Sequence, residues 1–525
     1  MFEALLKVIM IMGSEYRFAI RVAQRIKSKV GIQNSFLVLL ILTNFLIYSG
    51  LELGATPVSP DQKSDSFPSI DNKINLHTYS IGDEESFSVW DFFEEVRKPV
   101  TGTCRAIGDE AYIFLDNQIP LNQNYSIISE LVDTYMIPIL TTNFASPPDH
   151  DNNDRVVILY TILNGAGGYF SRNDPYGGEI VYINGEMGSL RIDTVIHELQ
   201  HLVNYGYDAQ ETIWFNEGCS MFSEFLLDYA EGYTDAHQLY YPHDVSLLFW
   251  DYDNAGLDTD YKAALAFIAY LQDQFGSQNL SDIYHAESGG DKLQSSTAIM
   301  HILNQYYPEL SFEELYMDFI LATILDNKYE GNKRELYFAE YVSLPSPLRF
   351  PAGGVISQDY PYDSTWEILP WSTKNYLFRN FPDPEEINIS VTIPEDSQDH
   401  LFGVNLIKEN RSLNYTDSSY QSYLLTAENI SAGIHLTLNA TAEEIDQFYL
   451  TISHLDGGEG GYYDDIPSSE RNVEVSLKVT TGDGESSTNT DTTSTDGTET
   501  TPAVSFSYVI IFGLGLAFLR KRKLR

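Results

Sequence analysis

Four residues of this chain have the types and the spacing needed to bind and use a metal ion. His197 and His201 are one helical turn apart, so on a helix both imidazoles lie on one face and can bind the same ion. Glu198 lies beside that ion and can act as a general base. Glu217, sixteen residues after His201, can supply a third ligand. Two imidazoles, one carboxylate and a water form the open four-coordinate site of hydrolytic zinc.

Two helices must bring these residues together. Apolar residues recur at helical spacing from Asp193 onward, and Ser189 or Asp193 is expected to cap this first helix. A second helix is expected at about residues 214–229, and it carries Glu217. The apolar residues expected to pack inward beside the two histidines are Val195, Ile196, Leu199, Leu202 and Val203.

Strands precede these helices and further helices follow them. An order of strands first and helices afterwards is typical of an α+β domain, which we assign to residues 96–345 of the 525-residue chain. The strands are expected at 110–115, 155–162 and 179–184, and the later helices at 261–275, 295–305 and 312–325.

The pattern changes after the prolines between residues 345 and 351. Short runs of alternating apolar and polar residues return, separated by turn residues. They predict an all-β sandwich over residues 350–480, with its clearest strands at 387–393, 434–438 and 472–479.

Both ends of the chain indicate export and membrane attachment. Residues 1–53 combine a basic start with an apolar run and small residues, which predicts a signal peptide or an uncleaved signal anchor. Residues 54–95 read as a leader or linker, and residues 481–502 as a Ser/Thr-rich stalk. Residues 503–525 predict a transmembrane anchor with a basic tail on the inside, and they also resemble a sorting signal that is cut off and replaced by a lipid. The body is therefore expected outside, at the cell surface, and several N-x-S/T sequons support glycosylation there.

The net charge narrows the classes of partner, and the two cysteines bear on whether the chain holds a disulfide. The chain carries 75 acidic against 31 basic residues, a net charge of −44, which argues against nucleic acid as a partner. Such a surface favours solubility. Cys104 and Cys219 leave open a disulfide or, for Cys219, a buried free thiol.

The motifs resemble those of the gluzincin metallopeptidases, in particular the hyicolysin-type neutral metallopeptidases. The matching segments are GGYF at 167–170, IVYIN at 180–184, VIHELQHLVN at 195–204 and WFNEG at 214–218. The resemblance covers about residues 100–345. It implies a thermolysin-like zincin fold with Zn²⁺ bound by His197, His201 and Glu217, and with Glu198 as the base.

A further residue is needed to stabilise the oxyanion that forms during hydrolysis. Residues 260–265, DYKAAL, resemble the tyrosine-bearing helix of aminopeptidase-N-like gluzincins, although those relatives place one residue between the tyrosine and the lysine. The resemblance makes Tyr261 the candidate, with a packing tyrosine as the alternative. His237 and His243 are weaker competitors.

Two other acidic features have both a functional and a structural interpretation. Glu224 lies two turns after Glu217 on the same helix face, where it can orient a zinc-bound histidine or simply face solvent. Residues 149–154, DHDNND, begin like a calcium loop but lack its glycine at position six. They predict either a Ca²⁺ site or an acidic turn before a strand.

These observations predict a zinc-dependent endopeptidase that acts on extracellular proteins or peptides. The strand at 180–184 can pair with an extended substrate backbone. Residues 182–188, YINGEMG, do not match the G-x-M-E-N motif of aminopeptidase-like relatives, so an aminopeptidase is the alternative within the class. The alternative from another class is a surface adhesion or scaffold protein with a zincin-like domain.

Overall fold

The structure is a computed structural model. It describes residues 78–150, 152–171, 179–230, 244–250 and 257–325 of the first part of the chain, and nine shorter stretches of the second part. Those stretches are 355–356, 362–379, 387–392, 400–409, 419–425, 434–438, 447–455, 460–462 and 473–481. None of the helices in these ranges is both long and apolar enough to cross a membrane. The predicted signal, stalk and anchor segments lie outside the described residues.

A six-stranded sheet forms the base of the first part, with strand order β1-β2-β3-β4-β6-β5. Strands β3, β4 and β6 are parallel, and the remaining pairs are antiparallel. The expected leader at 54–95 overlaps β1, whose Phe87 and Val89 alternate into a buried cluster. The strands are β1 Glu84–Asp91, β2 Val96–Ile107, β3 Ala111–Asp116, β4 Val156–Thr161, β5 Gly168–Phe170 and β6 Ile180–Asn184.

Helix α3, Ile192–Tyr207, packs on β5 and β6 and carries both histidines. The five apolar residues expected to face inward are all fully buried, which confirms the helical period. The expected cap by Ser189 or Asp193 is wrong. Arg191 is the N-cap, with φ 46° and no side-chain capping hydrogen bond, and its Nε donates to Thr194 Oγ1 in the first turn at 3.2 Å. Asp193 lies in the first turn, where its charge favours the helix dipole.

Helix α4, Ile213–Ala230, packs against both α3 and α5, Leu257–Phe275. Gly218 makes the second contact close, because a Cβ there would lie 2.9 Å from Ile268 Cγ1 and 3.1 Å from Ala264 Cβ. The other elements of this part are α1 Ser126–Leu131, α2 Ile137–Asn143, β7 Phe249–Trp250, α6 Ser277–Tyr284, β8 Glu287–Ser288, β9 Asp291–Lys292, α7 Ser295–Leu303 and α8 Phe312–Leu325.

The second part consists of two sheets that share one hydrophobic cluster, so the chain is α+β with sandwich-like β sheets. The five-stranded sheet has the order β10-β12-β17-β14-β15, and the four-stranded sheet the order β11-β19-β13-β16. Their strands are β10 Val355–Ile356, β11 Tyr362–Ile368, β12 Ser372–Arg379, β13 Ile387–Thr392, β14 Phe402–Glu409, β15 Ser419–Leu425, β16 Ile434–Leu438, β17 Gln447–His454 and β19 Val473–Thr481. A two-residue strand, β18 Gly461–Tyr462, lies outside both sheets.

The two parts dock through a buried contact centred on Trp371. Its indole packs edge-on against the rings of Phe312 and Tyr316 of α8, at centroid distances of 5.1 and 5.7 Å. Its carbonyl oxygen accepts hydrogen bonds from the Leu247 backbone N–H at 2.9 Å and from the Tyr316 hydroxyl at 3.1 Å. Because Trp371, Ile407 and Leu455 join the main hydrophobic cluster, that cluster continues from one part into the other.

Candidate metal centre

Helices α3 and α4 bring His197, His201 and Glu217 to one buried point. One ligand atom from each of the three residues lies within 4.8 Å of the others. All three residues are at most 6% exposed, so solvent water does not hydrogen-bond to their polar atoms. The two histidines that the sequence pairs by spacing and the carboxylate that it adds from the next helix therefore lie together.

The separations of these atoms fit a tetrahedral zinc ion. Glu217 Oε2 lies 3.3 Å from His197 Nε2 and 3.4 Å from His201 Nε2. Donors about 2.0–2.1 Å from a tetrahedral ion are roughly 3.3 Å from one another. His197 Nε2 and Glu217 Oε2 are buried and have no hydrogen-bond partner among the described residues, which is costly unless a cation binds both. The residues present therefore fit Zn²⁺.

The outer nitrogen of each imidazole is held by a neighbour on α4. His197 Nδ1 lies 2.7 Å from Glu224 Oε1, and His201 Nδ1 lies 3.1 Å from Asn216 Oδ1. In the neutral tautomer in which Nδ1 donates to these oxygens, Nε2 of each ring is the nitrogen available to a bound cation. Glu224 thus contacts a ligand, as its spacing suggested, and Asn216 does the same for the second histidine.

A chain of buried polar groups runs behind His201. Ser220 Oγ lies 3.0 Å from His201 Nδ1 and donates to the side-chain carbonyl of Gln200. The Gln200 amide in turn donates to the Tyr284 hydroxyl on α6. Since Gln200 and Ser220 are fully buried, these contacts hold α3, α4 and α6 in one register behind the metal centre.

Glu198 lies between α3 and strand β5. It is 2% exposed, and a Cβ on Gly168 would lie 2.9 Å from its Oε1 and 3.0 Å from its Cγ. Only a glycine therefore lets the β5 backbone approach this carboxyl so closely. Burial raises the pKa of Glu198 to about 7, against the opposing effect of the two nearby histidines. A carboxyl with a pKa near neutrality is suited to take up and return a proton.

The charges of the three ligand residues are strongly coupled. Burial alone would raise the pKa of Glu217, but His201 and His197 hold it at about 2. Burial alone would lower the pKa of His197, but Glu217 and Glu224 raise it well above its usual value. The carboxylate is therefore ionised at neutral pH, and the centre supplies the negative charge that a divalent cation needs.

Tyr261, on α5, lies beside the metal centre. Its ring centroid is 6.2 Å from that of His197, and its ring packs edge-on against Trp250 at 4.7 Å. The side chain is 4% exposed. Tyr261 thus lies next to a candidate ligand, and its role as an oxyanion-stabilising residue stays a prediction. His237 and His243 lie outside the described residues.

The prediction that the strand at 180–184 pairs with the substrate backbone is wrong. β6 lies inside the sheet, with Val157 opposite Ile180 on one side and Gly168 opposite Ile183 on the other. β5 is the terminal strand in the sheet order and lies next to Glu198. Among the described strands, the edge of the sheet beside the metal centre is therefore formed by residues 168–170.

Asn184 fixes the loop that leads into β5. Its side-chain amide donates to the carbonyls of Leu163 and Ala166, both at 2.9 Å, and its backbone N–H donates to Gly167 at 2.9 Å. Asn184 is 7% exposed, so these bonds lie in a dry environment. These bonds tie the loop of residues 163–167 to the end of β6.

The remaining candidate features are not among the residues that could hold the metal. In the acidic segment, the Asp149 carboxylate accepts a hydrogen bond from the Asn153 backbone N–H at 3.2 Å, as in a turn. Asp151 lies outside the described residues, so the Ca²⁺ site stays a prediction. Cys104 and Cys219 are both buried free thiols, as expected for Cys219.

Several residues of the centre cannot be identified from the spacing of residues in the sequence. Asn216 could be found from its position beside Glu217 in the WFNEG segment. Gly168, Gln200 and Tyr284 act through contacts between distant segments, so only the folded chain brings out their roles.

No protein-family model matches the chain, and no curated protein matches it. Among solved structures, a xylanase of Cellvibrio japonicus is 8% identical over 22% of each chain, with a TM-score of 0.14. The chain thus spans about a fifth of that xylanase. CorA, a surface-associated copper-binding protein of Methylomicrobium album, is 10% identical over 25% of this chain and 98% of its own, with a TM-score of 0.16. A xylan-binding module is 10% identical over 22% of this chain and 75% of its own, with a TM-score of 0.13. Likenesses this slight carry no argument about fold or function.

Proposed function

We propose that this protein is a zinc-dependent endopeptidase of the gluzincin type. The observation that carries the proposal is the buried set of His197, His201 and Glu217, with the buried carboxyl of Glu198 next to His197 on α3. Two imidazoles and one carboxylate leave a fourth position open, which is the arrangement of catalytic rather than structural zinc. The thermolysin-like zincin fold belongs to the same proposal.

The chain's own residues then have distinct roles. When bound, zinc supplies a Lewis acid that polarises the substrate carbonyl and lowers the pKa of its water to about 7. Glu198 takes up the proton of the attacking water and returns it to the leaving amine. Tyr261 donates a hydrogen bond to the oxygen that becomes negative as the peptide bond is attacked. Glu224 and Asn216 hold the two imidazoles in orientation.

Strand β5 is the proposed binding site for the substrate backbone. β5 is the last of the described strands in its sheet, and an extended peptide can pair beside residues 168–170 with its scissile bond next to Glu198. Backbone pairing of this kind recognises the interior of a chain as readily as its end, which favours an endopeptidase. The proposed substrates are extracellular proteins or peptides, which the signal and anchor patterns of the sequence support.

The proposal is tested by replacing Glu198 with Gln, which keeps the shape of the side chain but removes the base. The native protein and the Glu198→Gln variant are compared for bound zinc and for cleavage of casein, with and without a chelator. An exposed helix carboxylate provides the control, Glu130→Gln. We expect about one zinc in all three proteins and a loss of at least 10²-fold in cleavage only in Glu198→Gln.

Other outcomes separate the alternatives. Release of single amino acids from the N-terminus, without internal cleavage, supports an aminopeptidase. Zinc binding without cleavage of any peptide supports an adhesion or scaffold role. Absence of bound zinc from the native protein contradicts the proposal as a whole.

A further inference from the structure

The position of Tyr261 beside the metal centre depends on a neighbouring aromatic ring. Trp250 packs edge-on against Tyr261 at 4.7 Å, with an interplanar angle of 83°. Trp250 is 1% exposed and ends β7, a strand of only two residues. A strand this short has too few hydrogen bonds to be stable without a partner. The position of Trp250 therefore depends on what pairs with β7.

The partner of β7 comes from the second part of the chain. β18 pairs with it in parallel, with Gly461 opposite Phe249 and Tyr462 opposite Trp250. Just before β7, the backbone N–H of Leu247 donates to the Trp371 carbonyl at 2.9 Å. The segment 247–250 is thus held at both of its ends by residues of the sandwich-like part.

Gly460 is the point of closest approach in this contact. A Cβ there would lie 2.8 Å from the Leu248 carbonyl oxygen and 2.9 Å from Trp214 Cδ1. Its φ of +112° also disfavours any residue with a side chain. Trp214 lies in the first turn of α4, shortly before Asn216 and Glu217. The 460–462 segment therefore touches the supports of both Tyr261 and the third ligand.

From these contacts, we infer that the sandwich-like part completes the metal centre, because its 460–462 segment positions Trp250 and, through Trp250, Tyr261. The inference rests on the proposed function for the role of Tyr261. Gly460 and Trp250 are positioning residues, since neither contacts the reacting atoms. The second part of the chain is then a component of the enzyme's active site rather than a separate module.

The first test is a double-mutant cycle in the full chain. We expect Gly460→Ala to lower kcat by about tenfold or more at nearly constant KM, because a displaced Tyr261 is missed mainly in the transition state. In a Tyr261→Phe background, Gly460→Ala should lower kcat no further, since both changes remove the same interaction. An equal loss in both backgrounds, or no loss in either, would overturn the inference.

Two further variants guard this test against simple misfolding. Gly290→Ala is the matched control, since Gly290 has φ +96° and nothing within 4 Å of an added Cβ. It imposes a similar backbone strain away from the contact and should leave kcat unchanged. If Gly460→Ala does not fold, Trp250→Leu removes the same ring contact and should show the same non-additivity with Tyr261→Phe.

The second test does not require peptidase activity. Amide hydrogen exchange is measured for peptides that cover 247–250 and 257–265 in the native protein, Gly460→Ala and Gly290→Ala. Faster exchange in both peptides for Gly460→Ala alone supports the positioning of Tyr261 by the second part, even if the native protein cleaves nothing. Unchanged exchange overturns the inference while leaving the proposed function intact.

Discussion

At the scale of single residues, the two imidazoles of the metal centre differ in the groups that hold them. His197 donates to a carboxylate, Glu224, whereas His201 donates to a neutral amide, Asn216. A carboxylate partner makes the ring a more basic and therefore stronger ligand. If the centre holds zinc as proposed, the negative charge of Glu224 should therefore strengthen its binding without touching the ion.

We expect Glu224→Gln to weaken zinc binding by about 10–100-fold, because the charge is lost while a hydrogen-bond acceptor remains. The measurement is the zinc dissociation constant in competition with a chelator. Glu130→Gln, which changes an exposed carboxylate on α1, should bind zinc as the native protein does. Equal affinity in all three proteins would show that Glu224 is only a surface residue.

Gly168 is a second single-residue determinant, since its missing side chain lets β5 approach Glu198. An added Cβ would lie 2.6 Å from Thr194 Cγ2 and 2.9 Å from Glu198 Oε1. We expect Gly168→Ala to lower stability by about 1–3 kcal/mol and to lower kcat/KM by about tenfold or more, because Glu198 must move. Urea unfolding and steady-state kinetics measure the two effects.

The matched control for Gly168 is Gly185, where an added Cβ would lie 2.6 Å from Ile119 Cδ1. Gly185→Ala creates a similar steric conflict at a distance from Glu198. It should lower stability but leave kcat/KM unchanged. If both variants lose activity equally, the loss follows from reduced folding and not from the position of Glu198.

The ligand residues could be predicted from the sequence because their relation is local. His197 and His201 are related by one helical turn, and Glu217 lies on the next helix. Gly168 and Gln200 could not be predicted in the same way, since their partners are set by tertiary packing. For the same reason the sequence could suggest Glu224 as a contact of a histidine but could not decide between that role and a solvent-facing one.

At the scale of elements, Glu211 connects the approach to α4 with the start of α7. Its carboxylate accepts hydrogen bonds from the Ser295 backbone N–H at 3.0 Å, from Ser295 Oγ at 2.8 Å and from the Thr212 backbone N–H at 2.7 Å. Burial nevertheless raises the pKa of Glu211 from 4.5 to about 7. The folded chain therefore keeps this proton at pH values where the unfolded chain has released it.

This difference makes the native protein less stable as the pH rises from about 4.5 to about 7. Below that window both states hold the proton, and above it neither does. One pKa unit corresponds to about 1.4 kcal/mol. Because Glu211 is partly exposed, we expect about 1–2 kcal/mol between pH 5 and pH 8.

The Glu211→Gln variant tests this pH dependence, because Gln keeps an acceptor and does not titrate. Relative to the native protein, its free energy of unfolding in urea should be higher by that amount at pH 8 than at pH 5. Glu309→Gln, at an exposed position, should follow the native protein at both values. A constant difference between native protein and Glu211→Gln would contradict the assignment.

The types of most elements followed from sequence period, but their ends and order did not. Helix α8 matches its expected range, and α3 buries the expected apolar face. The N-cap of α3 is Arg191 in a left-handed backbone conformation, and its residue type is not one that predicts a helix cap from the sequence. The edge position of β5 escaped prediction because a three-residue, glycine-bearing strand has no alternating pattern, and its place is set by pairing with β6.

At the scale of the whole molecule, the hydrophobic cluster that continues across the docking contact should couple the stability of the two parts. Tyr316→Phe removes the hydroxyl that lies 3.1 Å from the Trp371 carbonyl and 3.2 Å from Thr373 Oγ1. We expect a loss of about 1–2 kcal/mol, since both partners keep another hydrogen bond.

Differential scanning calorimetry measures this coupling. The described body should unfold in one transition, which Tyr316→Phe shifts to lower temperature as a unit. Tyr306→Phe, at a 60% exposed position, should leave the transition unchanged. Two resolved transitions, of which only one moves, would show that the parts are energetically independent.

The pairing of β7 with β18 also bears on when the protein becomes active during its biosynthesis. A polypeptide leaves the ribosome from its N-terminus, so residues 249–250 emerge long before residues 461–462. Helices α3 and α4 can bring His197, His201 and Glu217 together early. Tyr261, however, lacks the support of the β7–β18 pairing until almost the whole body has been translated. Under the proposed function, a peptidase whose centre is completed last would not cleave its own nascent chain during synthesis.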